Sequence, residues 1–148
     1  MPSEAFPATT RVVLPADPIA VREALCALFD RLTTGPMADD ARDAAQVVLS
    51  EALNNIVEHA YAQFPGEIEV MVEVCPKGIR CTIADSGRPM PDGCLPEGQL
   101  DLPCAGSDLP EGGFGWGLIR TLSQDLAYQR IGARNLLSFR IDSKQSAH

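Results

Sequence analysis

Two runs of alternating apolar residues, joined by a short turn, constrain the fold of this chain more than any other feature. Between Glu67 and Val74 every second residue is isoleucine or valine, and the intervening residues are mostly glutamate. After the turn Pro76-Lys77-Gly78, apolar residues alternate again from Ile79 to Ile83. Successive strand residues point to opposite faces of a sheet, so both runs predict half-buried strands that pair as a hairpin.

The other periodic segments predict three helices and three further strands around this hairpin. A helix-capping Asp17-Pro18 pair and apolar residues at helical spacing predict the first helix, and the longest apolar stripe predicts the second. The predicted elements are a strand at 9–14, a helix from 18 to about 32, a helix from about 38 to 61, a short helix from near 115, and strands near 126–130 and 135–141. This organisation is α+β, within one domain spanning residues 1–148 and with frayed ends at about 1–8 and 143–148.

Composition narrows the possible partners. The 148 residues carry a formal net charge of −8, which disfavours nucleic acids and anionic membrane surfaces because both attract Lys and Arg. The sequence contains no apolar run of roughly 18 residues and no signal-like start, which predicts a cytoplasmic protein. Five cysteines without a C-x-x-C pair, and only two histidines, indicate reduced thiols rather than a zinc or redox site.

The first cluster with potential chemistry lies on the second predicted helix. Glu51 and Asn55 are four residues apart, so their side chains point to the same face. A carboxylate beside a neutral oxygen donor suits magnesium, and it also suits a base placed next to a metal-bound phosphate. A lone E-x-x-x-N is more often a solvated polar face of an amphipathic helix, so this pair needs support from the other clusters.

The second cluster directly follows the second strand of the hairpin. Asp85 ends the strand, and Gly87 follows two residues later in the sequence Asp-Ser-Gly-Arg-Pro. A carboxylate there can accept from an exocyclic amine, and a glycine lets a flat ring approach the backbone. The simpler interpretation is an ordinary Asp-Ser-Gly turn.

The third cluster is the glycine-rich segment Gly112 to Leu118. Glycines free the backbone to wrap an anion, and a helix that starts there offers unpaired amides and the positive end of its dipole. The preceding 22 residues, 90–111, hold four prolines, five acidic residues and no Lys or Arg. A segment of that length without a periodic pattern is usually functional or disordered. A flexible hinge is the alternative for the glycines.

The order of the three clusters resembles a known superfamily. E-x-x-x-N on a helix, D-x-G after a strand, and G-x-G before a helix resemble the N-box and the two glycine boxes of the GHKL ATPases. The forms EALNNIVEHAY, DSGRP and GGFGWGLI most resemble the anti-sigma-factor serine kinase branch, over about residues 12–141. The resemblance implies a Bergerat ATP-binding fold, a two-layer α/β sandwich with a mixed, mostly antiparallel sheet and helices on one face.

The resemblance also implies a role for each motif residue. Glu51 would be the general base that deprotonates the substrate serine, Asn55 would ligate Mg²⁺, and Asp85 would bind the adenine amino group of ATP. Gly87 would allow close approach, and residues from about 90 to 112 would form the ATP lid. The residues that would bind the nucleotide through the second glycine box are Gly113, Phe114, Gly115, Trp116, Gly117 and Leu118.

By the same resemblance, the chain would be a homodimeric kinase that phosphorylates a small STAS-type antagonist (an anti-anti-sigma protein) and sequesters a sigma factor or another regulator. The family often has an arginine just before the Gly-Gly pair, where this chain has Glu111. Arg88 and Arg120 are candidate substitutes. A non-catalytic switch, in which ATP sets partner affinity, is the alternative. A histidine sensor kinase fits less well, because His59 lies inside the proposed nucleotide helix.

Overall fold

A computed structural model describes residues 8–32, 39–61, 65–75, 78–90 and 113–142. The elements are β1 (Ala8–Pro15), α1 (Pro18–Leu32), α2 (Asp39–Asn55), a π-helical turn (Ile56–Ala60), β2 (Glu67–Cys75), β3 (Gly78–Asp85), α3 (Gly113–Leu122), β4 (Gln124–Ile131) and β5 (Arg134–Asp142). The predicted frayed ends apart from Ala8, which is the first residue of β1, and the predicted lid apart from Met90 lie outside the described residues. Every predicted helix and strand within those residues is present.

The five strands form one sheet in the order β1-β2-β3-β5-β4. All four strand pairings are antiparallel, so among the described strands the sheet has no parallel pair and is simpler than the mixed sheet expected. β2 and β3 form the predicted hairpin, with Val72 opposite Cys81. On the far side of β3, Cys81 faces Phe139 of β5.

The three helices cover one face of this sheet, which gives the expected two layers. α2 packs against α1 and α3 and against strands β3 and β5. Its predicted apolar stripe is fully or almost fully buried, and so are the alternating residues of the hairpin. Burying a Val, Leu or Ile side chain contributes about 1.5–3 kcal/mol, so this shared core is the main support of the fold. No helix within the described ranges is long and apolar enough to cross a membrane.

Two helix boundaries differ from the sequence expectation. The second helix was expected to be regular to Tyr61, but it is α-helical only to Asn55 and then widens into the π-turn Ile56–Ala60. The Tyr61 amide donates to the Ile56 carbonyl at 3.2 Å, one residue further back than in an α-helix. α3 starts at Gly113, two residues before the predicted start, so the glycine box forms its first turn.

Candidate functional site

α2 and α3 bring the first and third motif clusters together. Gly115 lies in the first turn of α3 and packs directly on the face of α2 that carries Glu51 and Asn55. A Cβ atom placed on Gly115 would lie 2.5 Å from Glu51 Oε1 and 3.7 Å from Asn55 Nδ2. Only a glycine leaves room for the Glu51 carboxylate at this point.

Asn55 is buried, and one end of its side-chain amide has no hydrogen-bond partner among the described residues. The residue is 5% exposed, and its Nδ2 is buried without a hydrogen-bond partner among the described residues. An unpaired buried NH₂ group costs about 1–3 kcal/mol, so it is expected where a ligand supplies an acceptor such as a phosphate oxygen. An amide oxygen beside the Glu51 carboxylate is also a donor set that Mg²⁺ accepts, so the residues fit the predicted metal.

The second glycine box forms the N-terminal turn of α3. The first amides of a helix have no partner within the helix and carry the positive end of its dipole, so Gly113 to Gly115 present an anion-binding end. The Trp116 side chain is 3% exposed and belongs to the hydrophobic core. It does not offer its ring to a ligand, and its backbone amide is the first to bond within the helix. The predicted contact of Trp116 with a nucleotide stays a prediction.

The remaining predicted residues of this glycine box lie in the first two turns of α3. Phe114 lies within the first turn of α3, Gly117 is buried one turn on, and Leu118 is half-buried. Their contribution to a nucleotide site would come from the backbone, and it stays a prediction.

Asp85 is a buried carboxylate at the end of β3. It is 3% exposed, and its Oδ1 accepts hydrogen bonds from the Gly87 amide and from Asn135 Nδ2, both at 2.8 Å. Its Oδ2 accepts none from the described residues. Burial raises the pKa of Asp85, and the two hydrogen bonds act in the opposite direction. The carboxylate is therefore held in place while one oxygen remains free to bind a donor.

Gly87 allows close packing of the turn that follows Asp85. A Cβ atom on Gly87 would lie 2.5 Å from the Ala60 carbonyl oxygen and 2.6 Å from the Ala60 Cβ. The missing side chain therefore lets the turn pack against the end of the α2 π-turn. That Gly87 also lets a flat ring approach the backbone stays a prediction.

Arg88 joins the same two segments. Its backbone amide donates to the Ala60 carbonyl at 2.9 Å, and its guanidinium donates to the His59 carbonyl at 3.1 and 3.3 Å. These bonds cap the carbonyl end of the helix that carries Glu51 and Asn55. The Arg88 guanidinium is therefore occupied at the helix end, and Arg120 is exposed on α3.

Three residues of this region were not singled out from the sequence. Asn135 lies opposite Asp85 on β5, and it contacts both Tyr128 and Arg130 of β4. The available signal was the inward position of Asn135, because Leu137, Phe139 and Ile141 follow it at every second residue and are buried. A polar residue at the head of such an apolar run indicates a buried partner.

The chain matches the family model of the histidine kinase-like ATPase domain over residues 14–141. The two-layer fold and the packing of the first and third motif clusters agree with that match. The protein therefore belongs to the histidine kinase-like ATPase domain family.

Within curated proteins, the chain is similar to serine-protein kinases called RsbW. It is 35% identical over 95 residues to that of Bacillus cereus strain AH187, covering 63% of this chain and 59% of the relative. The RsbW of Bacillus thuringiensis strain Al Hakam is 34% identical over 90 residues, covering 60% and 56%. The chain thus aligns with less than two thirds of the length of these relatives.

Two solved structures share the fold. The RsbU and RsbW domains of Rv1364c from Mycobacterium tuberculosis superimpose with a TM-score of 0.60 at 18% identity, over 90% of this chain and 32% of that one. The histidine kinase domain of a blue-light activated kinase from Erythrobacter litoralis EL346 gives a TM-score of 0.52 at 20% identity, over 88% and 62%. At these identities the likeness shows the architecture alone.

Proposed function

We propose that this protein is an ATP- and Mg²⁺-dependent serine-protein kinase of the anti-sigma type, which phosphorylates a STAS-type antagonist in a partner-switching circuit. The observation that carries the proposal is the contact between Gly115 and the pair Glu51 and Asn55. It joins a carboxylate, an unpaired buried amide and a helix N-terminus in one place. The similarity to serine-protein kinases of Bacillus supports the choice of a protein substrate.

Each part of ATP has a partner in this proposal. The free Oδ2 of Asp85 accepts from the adenine amino group, and the first amides of α3 hold the phosphates. Asn55, with Glu51 beside it, would hold the metal ion. When bound, Mg²⁺ would neutralise phosphate charge, which matters in a chain with a net charge of −8.

Glu51 supplies the base. It takes the proton from the substrate serine hydroxyl while the serine oxygen forms a bond to the γ-phosphorus. The bond from that phosphorus to the β–γ bridging oxygen breaks, and ADP leaves with the electron pair. Positioning and charge neutralisation supply most of the rate in such transfers, and the fixed arrangement of α2 and α3 suits that task.

The proposed partners follow from the same family branch. They are the STAS-type antagonist, a sequestered sigma factor or other regulator, and a second copy of the chain in a homodimer. A cytoplasmic location is part of this proposal.

A non-catalytic ATP switch is the second candidate, and one observation favours it. Residues 90–111 contain no Lys or Arg, and Glu111 stands where the family branch often has arginine. Arg88 is occupied at the His59 carbonyl. The terminal phosphate would then depend on Arg120 or on Mg²⁺ for its positive charge, which disfavours transfer more than binding.

The substitution Glu51→Gln separates the two candidates. With radiolabelled ATP, Mg²⁺ and a STAS-type antagonist, we expect the wild type to form phosphoserine and Glu51→Gln to lose transfer by about 100-fold or more. ADP affinity, measured by calorimetry, should stay within about threefold because the base acts on the serine.

Glu58→Gln is the matched control, because Glu58 is exposed on the same helical segment. It should transfer phosphate like the wild type. Nucleotide binding without transfer by the wild type would reject the kinase and leave the switch. Transfer that survives in Glu51→Gln would reject Glu51 as the base.

A further inference from the structure

Asn135 is the centre of a buried hydrogen-bond network behind Asp85. It is 5% exposed, and its Oδ1 accepts from the Tyr128 hydroxyl at 2.6 Å and from Arg130 Nη1 at 3.1 Å. Its Nδ2 donates to Asp85 Oδ1 at 2.8 Å and to the Arg88 carbonyl at 2.9 Å. Both ends of the amide are therefore engaged.

The two donors on Oδ1 determine which way the amide faces. Arg130 Nη1 can only donate, so the Asn135 atom that it meets must be the amide oxygen, and the group that faces Asp85 must be the amide NH₂. An NH₂ group only donates, and the Gly87 amide donates to the same Asp85 oxygen. Asp85 Oδ1 is thus fixed as an acceptor, and the orientation of the carboxylate is fixed with it.

The network also holds the turn that follows Asp85. Arg130 Nη1 donates to the Gly87 carbonyl at 2.7 Å, and the Tyr128 hydroxyl accepts from the Met90 amide at 2.9 Å. Two side chains of β4 therefore fix the backbone on both sides of Arg88. A network whose members are all satisfied is rigid and specific, whereas a partly satisfied one is costly.

Because both donors occupy Oδ1, the Oδ2 of an ionised Asp85 is the oxygen left to accept a hydrogen bond from a base. A 6-aminopurine offers an N–H donor at position 6 to Asp85 Oδ2, whereas a 6-oxopurine places an oxygen at that position, which an ionised carboxylate repels. We propose that Asn135, supported by Tyr128 and Arg130, is the positioning residue that keeps Asp85 an acceptor and thereby selects adenine over guanine nucleotides. This inference rests on the proposed ATP site and adds a specificity-determining residue to it.

Among the residues that the structure describes, the charged and titratable groups that face Asp85 are Arg130 and Arg134 from the sheet and Tyr61 from the end of the π-turn. Burial raises the pKa of Asp85, and the Asn135 hydrogen bond lowers it because it stabilises the charged form. Removal of Asn135 should therefore raise this pKa further. Nucleotide binding that needs an ionised Asp85 should then fail at a higher pH in the variant than in the wild type.

Purine selectivity tests the inference. Calorimetry with Mg-ADP and Mg-GDP should show that the wild type prefers ADP. In Asn135→Ala the affinity for ADP should fall about tenfold, because one hydrogen bond to a charged group is removed. The affinity for GDP should not fall. Tyr128→Phe removes the hydroxyl that orients the amide, and it should narrow the preference by about threefold. If Asn135→Ala does not fold, Tyr128→Phe tests the inference in its place.

Gln129→Ala is the matched control, since Gln129 is exposed on β4 between the two network residues. It should keep the wild-type preference. An unchanged ADP-to-GDP ratio in both Asn135→Ala and Tyr128→Phe would overturn the inference. A wild type that binds neither nucleotide would reject the proposed ATP site instead.

A measurement on the nucleotide-free protein separates these failures. The Asp85 carboxyl carbon can be titrated by ¹³C NMR in the wild type and in the variants. We expect its pKa to be higher in Asn135→Ala and unchanged in Gln129→Ala. An equal pKa in the wild type and Asn135→Ala would show that Asn135 does not act on Asp85.

Discussion

At the scale of single residues, the site depends on the absence of a side chain at two glycines, Gly87 and Gly115. A Cβ on Gly87 would collide with the Ala60 backbone, which cannot move without disturbing the helix end. A Cβ on Gly115 would collide with the far end of the Glu51 side chain, which can swing away. The first glycine therefore serves packing, and the second serves the position of the proposed base.

Gly115→Ala should separate activity from stability. Alanine favours a helix by up to about 1 kcal/mol over glycine, and the obstacle is a flexible side chain, so the free energy of unfolding should change by less than about 1 kcal/mol. Phosphoryl transfer should fall about 100-fold because Glu51 is displaced. Urea unfolding and a transfer assay measure the two quantities.

Gly132→Ala is expected to show the opposite pattern. Gly132 has a φ of +59°, which disfavours alanine, but no atom lies within 4 Å of its added Cβ. It should lose about 1 kcal/mol of stability and keep transfer. If Gly115→Ala transferred phosphate normally, the proposed placement of Glu51 would be wrong.

At the scale of elements, the turn after β3 and the end of α2 form one unit. Arg88 donates three hydrogen bonds to the carbonyls of His59 and Ala60, and Gly87 packs against the same end. The π-turn between Asn55 and Tyr61 places these carbonyls within reach of Arg88. Such turns occur often at functional sites, and here the turn links the helix of Asn55 to the loop of Asp85.

Arg88→Ala should loosen this helix end. Loss of the guanidinium bonds should cost about 1 kcal/mol and speed hydrogen exchange of the Tyr61 amide, which bonds to the Ile56 carbonyl. Arg22→Ala, at an exposed position of α1, should leave that exchange unchanged. Equal protection of Tyr61 in Arg88→Ala and the wild type would show that the cap does not hold the π-turn.

The elements themselves were predictable because burial sets their pattern. The alternation in β2 and β3 and the stripe of α2 follow from one buried face, and the structure confirms all of them. The π-turn was not predictable, since no local signal in the sequence marks it and its last carbonyls bond to Arg88, which is distant along the chain. The Asn135 network was missed for a similar reason, because its members meet only when β3, β4 and β5 pair.

At the scale of the whole molecule, two layers assemble one continuous site. α2 lies centrally between α1, α3 and the sheet, and it contacts the other two motif clusters at different points. Gly115 meets it at Glu51 and Asn55, and Gly87 meets it at Ala60, within one helical segment. A ligand that spans this segment would join the phosphate end to the adenine end.

A crystal structure with Mg²⁺ and a non-hydrolysable ATP analogue tests this most directly. We predict one nucleotide, with its amino group within hydrogen-bond distance of Asp85 Oδ2, its phosphates at the first amides of α3, and the metal ion at Asn55. A nucleotide bound elsewhere, or one that leaves Asp85 or Asn55 without a contact, would contradict the account.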